Sequence, residues 1–114
     1  MVERSDVLAA AAPISGGINI PYDDVARPIP TMVYWGGDDD SAYEQDFNGM
    51  SLEMIDTLSS NAHPVVACNH NSGHNIYASY FDDIMPYLLA HTLESIDSPY
   101  SDTTEGLGSN CFIP

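Results

Sequence analysis

The chain has 114 residues, 44% of them hydrophobic, which is the length and composition of one modest globular domain. Its 17 Asp and Glu residues face only Arg4 and Arg27, with no lysine, for a formal net charge of −15. That balance argues against nucleic acid and membrane as partners, because anionic phosphate is held by Lys and Arg, and no apolar run approaches the roughly 18 residues of a membrane span.

The opening stretch MVERSDVLAAAAPISGG resembles an export signal in its alanines, but Glu3 and Asp6 spoil the basic leader that such a signal needs. It reads as domain interior. Three nearly continuous apolar runs follow, each closed by glycines or polar loop residues as buried parallel strands tend to be: AAAPIS (10–15), TMVYWG (31–36) and PVVACN (64–69). The segment between the first two, NIPYDDVARPIP (19–30), is proline-rich and reads as a loop crossing. Between the second and third runs, Tyr43, Phe47, Met50, Met54 and Leu58 recur at steps of three or four and predict an amphipathic helix, with Ser41 and Glu44 as its capping box. After the third run, Tyr80, Phe81, Ile84, Leu88 and Thr92 trace a second stripe. Pro86 either kinks that helix or marks the first turn of a shorter one. His91 falls near its carboxyl end and reads as a surface residue. From Asp97 onward the chain is polar and aperiodic, so residues 97–114 are expected to form an irregular tail on a domain spanning 1–96. Cys68 and Cys111 are the only cysteines; they allow one disulfide in an oxidising compartment, or two unrelated buried thiols.

This order of elements is an α/β pattern, in which sites lie at the carboxyl ends of the strands. There the second run delivers Asp38, Asp39 and Asp40, and the third delivers HNSGH (70–74). A carboxylate beside an imidazole is the orienting pair of a hydrolytic triad. The plain alternatives are a solvated, helix-capping aspartate loop and a histidine without a role.

APISGG, VYWGGDDDSAYEQ, VVACNHNSGHNIY and MPYLLAH together resemble the C-terminal half of an α/β-hydrolase, over about residues 7–93. The branch most similar is that of polyhydroxybutyrate depolymerases and feruloyl or acetylxylan esterases. There a motif of the form H-G-x-x-D-x-x-V-P-Y supplies the triad acid and a later G-H supplies the base. On this chain Trp35 takes the histidine place, Gly36 the glycine and Asp39 the acid, ahead of Asp38 and Asp40, while Gly73-His74 takes the G-H place. The resemblance implies a fold of three parallel strands with flanking helices, Asp39 and His74 as catalytic residues, no cofactor or metal, and an ester substrate such as a polyester or a plant cell-wall ester. It further implies an extracellular or periplasmic location and, under oxidising conditions, a Cys68–Cys111 bridge. The chain departs from the family in lacking the G-x-S-x-G nucleophile elbow, since neither Ser15 nor Ser72 stands in one. The expected partner is therefore a missing N-terminal half, or a second copy joined through the exposed edge of the first strand.

Two rivals come from other classes. One is a non-catalytic interaction module that keeps the fold. The other is a metal-binding protein using His63, Cys68, His70 and His74.

Overall fold

The computed structural model describes residues 5–17, 26–95 and 97–114. Much of the proline-rich crossing expected over 19–30 lies outside them, as does Arg4. In chain order the elements are β1 (Thr31–Trp35), a hairpin of β2 (Ser41–Ala42) and β3 (Gln45–Asp46), α1 (Phe47–Ser60), β4 (Val65–Asn69), a 3-10 turn over Ala78–Tyr80, α2 (Phe81–Leu89) and β5 (Cys111–Phe112).

β1 and β4 run parallel, with Thr31 opposite Val65 and Trp35 opposite Asn69. On the other side of β1 lies the AAAPIS run. Ala11 N–H donates to the Pro30 carbonyl at 3.0 Å and Met32 N–H to that of Ala11 at 2.9 Å. Tyr34 N–H donates to the Pro13 carbonyl at 3.0 Å, and Ser15 N–H to that of Tyr34 at 2.8 Å. This is a parallel ladder with one rung missing, because Pro13 has no N–H to offer the Met32 carbonyl. The run therefore makes two separate bridges rather than a continuous strand. We call residues 11–15 the leading segment.

The expected irregular tail instead returns to the sheet as β5, antiparallel to β4, with Cys68 opposite Cys111 and the two disulfide-bonded. The sheet, in the order leading segment, β1, β4, β5, is thus mixed and not parallel throughout. Residues 97–114 also send Tyr100 and Leu107 against the core.

Alternation along the strands divides the core between the two faces of the sheet. Met32, Tyr34, Val66 and Cys68 meet Ile84 and Tyr87 of α2, with Ala10, Ala12 and Ile14 packed beside them. Val33, Trp35, Val65 and Ala67 meet Met54, Ile55 and Leu58 of α1. One helix on each face explains why these runs carry apolar residues on both faces.

Both helices depart from the sequence reading at their starts. α1 begins at Phe47, and its N-cap is Asp46, whose side chain accepts from Gly49 N–H at 2.9 Å. Ser41 and Glu44 lie in the hairpin instead of a capping box. The turn joining its strands holds Tyr43 at φ 51° and Glu44 at φ 63°, the paired positive values of a type I′ turn. Tyr43 is consequently 95% exposed and no part of the helical stripe. In α2, Pro86 sits inside the helix, and the buried residues are Ile84 and Tyr87, while Phe81 is exposed and Thr92 lies beyond the end. His91 is not on the surface. It is buried, its Nδ1 donating to the Tyr87 carbonyl at 2.7 Å and its Nε2 meeting the Ser98 hydroxyl at 2.8 Å.

Candidate functional site

At the carboxyl ends of β1 and β4 two loops meet through glycines. Gly73 N–H donates to the Gly36 carbonyl at 2.9 Å, and a Cβ on Gly36 would run into the Gly73 backbone. Gly73 itself has φ 69°, and Gly37 has φ 79°, conformations that glycine adopts freely. A Gly36→Ala variant is expected to lose about 2 kcal/mol of stability by overpacking against backbone that cannot yield. Urea titration checks this, with Gly16→Ala as the comparison, since a Cβ there meets nothing closer than 3.8 Å.

The juncture brings together one carboxylate and one imidazole. His74 Nδ1 lies 2.8 Å from Asp40 Oδ1. Asp40 is fully buried, and its other oxygen, Oδ2, accepts from Gly36 N–H at 2.7 Å and from the Ser15 hydroxyl at 2.8 Å. Burial pushes this carboxyl up, and the bonds from Gly36, Ser15 and His74 together with the charge of His74 outweigh it, so it lies below the usual carboxylate range. A carboxylate only accepts, so His74 donates from Nδ1, and Nε2 is the lone-pair nitrogen of the neutral ring. The imidazole is stacked on Phe47, with centroids 4.4 Å apart and planes 19° apart, and its side chain is 36% exposed.

The carboxylate that pairs with His74 in this geometry is Asp40, and not Asp39 as expected. The turn closed by Asp40 N–H on the Gly37 carbonyl at 2.9 Å puts Asp38 and Asp39 on its exposed tip. Only the third aspartate comes back under the loop. There its own carbonyl accepts from Asn48 N–H at 3.1 Å and so receives the first turn of α1. The spacing from Trp35-Gly36 to the acid is one residue longer than the resembled motif allows. Phe47 was not legible as a site residue, nor were Ser15 and Gly36 as donors to the buried carboxylate. The one signal for Ser15 is its place at a strand end before Gly16-Gly17.

The four residues of the metal rival do not converge. Cys68 is bonded to Cys111. His63 precedes β4 and is buried against Ile29, whose N–H donates to its Nδ1 at 3.0 Å, at the end of the strand remote from His70 and His74. His70 lies against both Tyr34 and Tyr80, whose rings also meet each other with centroids 4.9 Å apart, and its Nδ1 lies 2.8 Å from the Tyr80 hydroxyl. Burial pushes the His70 imidazole down, against a smaller upward pull from Asp40. Among the described residues no group of His, Cys, Asp and Glu is arranged to hold a metal ion. Trp35 and Tyr34 belong to the core, and Tyr77 is half-exposed beside Tyr80.

Comparison of the chain with protein-family models, with curated proteins and with solved structures finds no match. No helix of the described residues is long and apolar enough to cross a membrane.

Proposed function

We propose that this chain is the C-terminal portion of an esterase-like serine hydrolase of the α/β-hydrolase class. It supplies His74 as general base and Asp40 as the acid that orients it. The observation behind this reading is the 2.8 Å contact from a fully buried carboxylate to a partly exposed imidazole, at the carboxyl ends of adjacent parallel strands. Asp40 holds His74 with Nε2 available to take a proton and balances the charge as the imidazolium forms. The nucleophilic serine and the oxyanion donors come from outside residues 1–114. An ester, of a polyester or of plant cell wall, is cleaved through an acyl-enzyme on that serine. The bridge between Cys68 and Cys111 fits an extracellular or periplasmic setting.

The place for the missing part is the outer edge of the leading segment, where the backbone groups of Ala12 and Ile14 make no hydrogen bond among the described residues. Such an edge accepts another strand. This chain alone is expected to leave an activated aryl ester at its background rate. Mixed with a G-x-S-x-G half from an esterase of the resembled branch, it is expected to restore turnover that His74→Ala abolishes. Turnover of the mixture that survives His74→Ala would refute the assigned base. Turnover by this chain alone that His74→Ala removes would show that the nucleophile lies within it.

A further inference from the structure

Ser15 ends the leading segment at φ 43°, in the left-handed region that residues with a side chain seldom occupy. Gly16 and Gly17 come next, and a glycine at 15 would adopt the same backbone without strain. The chain keeps a serine there, and that serine is buried. A position that tolerates backbone strain to keep a hydroxyl points to a use for the hydroxyl. Among the described residues the hydrogen-bond partner of its Oγ is Asp40 Oδ2, at 2.8 Å. Gly36 N–H reaches the same oxygen at 2.7 Å from the other loop. Two donors from two different elements on one oxygen fix the carboxylate plane, as one donor does not.

We infer that Ser15 is a positioning residue, whose hydroxyl sets the rotation of the Asp40 carboxylate so that Oδ1 meets His74 Nδ1 and holds the imidazole in its Nδ1–H form. Among the described residues Ser15 makes no hydrogen bond to His74. It acts through Asp40 alone. The titratable groups whose charge bears on Asp40 are His74 directly, and His70 and Tyr80 at longer range. The inference rests on reading Asp40 and His74 as an acid–base pair, yet neither the geometry nor its test involves the nucleophile.

The test is nitrogen-15 NMR of the imidazoles in the whole chain, together with a carbon-13 titration of the Asp40 carboxyl, for wild type, Ser15→Ala and Ser15→Gly. With the hydroxyl gone, the Nε2–H form of His74 is expected to gain population in both variants, and the Asp40 titration to move upward. Ser15→Gly should be the more stable of the two, because it also releases the strained φ. A residue that merely filled space would affect stability and leave the tautomer alone. An unchanged ratio of His74 tautomers in Ser15→Gly overturns the inference, and that variant decides the matter even where Ser15→Ala does not fold. A changed ratio supports it whether or not any ester is ever turned over, so the hydrolase reading and this one fail separately.

Discussion

Removing the Cys68–Cys111 bridge is expected to lower the unfolding free energy by about 4 kcal/mol, the chain-entropy value for a closed loop with a sequence separation of 43 residues. The loss should be large relative to the total stability of so short a chain, commonly about 5 to 15 kcal/mol for a domain. It should also be local in its first effects. β5 has only two residues and pairs with β4 at two positions, so apart from the bridge its hold on the sheet is short. Freed, the tail would release Asn110 from the Tyr34 hydroxyl and Gly108 N–H from Asp83, the contacts that close the polar rim over the Tyr34, His70 and Tyr80 stack. Paired Cys68→Ala and Cys111→Ser substitutions, compared with wild type in urea with and without reductant, measure the effect. Hydrogen exchange should show the amides of 104–112 opening first. Two free thiols in protein folded under oxidising conditions would remove the bridge and with it the main support for an oxidising compartment.

The parts of the fold that were legible in the sequence are those fixed by burial on both faces. TMVYW and VVACN read as strands because they are nearly continuous apolar runs, and each lies between two helices. The leading segment was legible for the same reason, although its Pro13 costs one rung of the ladder. What was not legible depended on turn geometry and long-range partners. Ser41 and Glu44 have the spacing of a capping box, but a tight turn with two positive φ values intervenes without glycine or asparagine to announce it. His91 looked like a helix-end cation, and only the return of Ser98 beneath it makes it a buried hydrogen-bonding residue. β5 has too few residues for a periodicity, and its register depends on a sulfur partner 43 positions away. The site was half legible. His74 follows from a strand end and a glycine, whereas the choice among Asp38, Asp39 and Asp40 turns on which of three identical side chains a four-residue turn buries.

That choice gives the largest expected separation between stability and chemistry. Asp40→Ala leaves the Gly36 N–H, the Ser15 hydroxyl and His74 Nδ1 without their acceptor, and is expected to cost about 3 kcal/mol, since each buried unpaired donor costs about 1 to 3 kcal/mol and the loops relax in part. Asp40→Asn keeps the shape, and its amide oxygen can still accept from Gly36 and Ser15, so most of that stability should remain. Its amide nitrogen then faces His74 and favours the opposite tautomer. In the assembled hydrolase proposed above, turnover should fall by roughly a thousandfold or more, in the way a triad loses rate when its histidine is held in the wrong form. Asp39→Asn, on the exposed tip, should change neither. The pH dependence separates the same two residues. The folded Asp40 carboxyl lies below its unfolded value of about 3.9, so the stability it contributes is complete above that pH and is lost as the pH falls toward its folded value. Acidification also relieves repulsion in a chain of net charge −15, which acts in the opposite direction, so the informative quantity is the difference between wild type and variant. The gap in urea midpoint between wild type and Asp40→Ala should be full from pH 7 down to about 4 and narrow as the pH falls further, while Asp39→Asn tracks wild type throughout. A gap between wild type and Asp39→Asn that is open at neutral pH and closes in acid, with none for Asp40→Ala, would move the acid back to the exposed tip, against the 2.8 Å contact between Asp40 and His74.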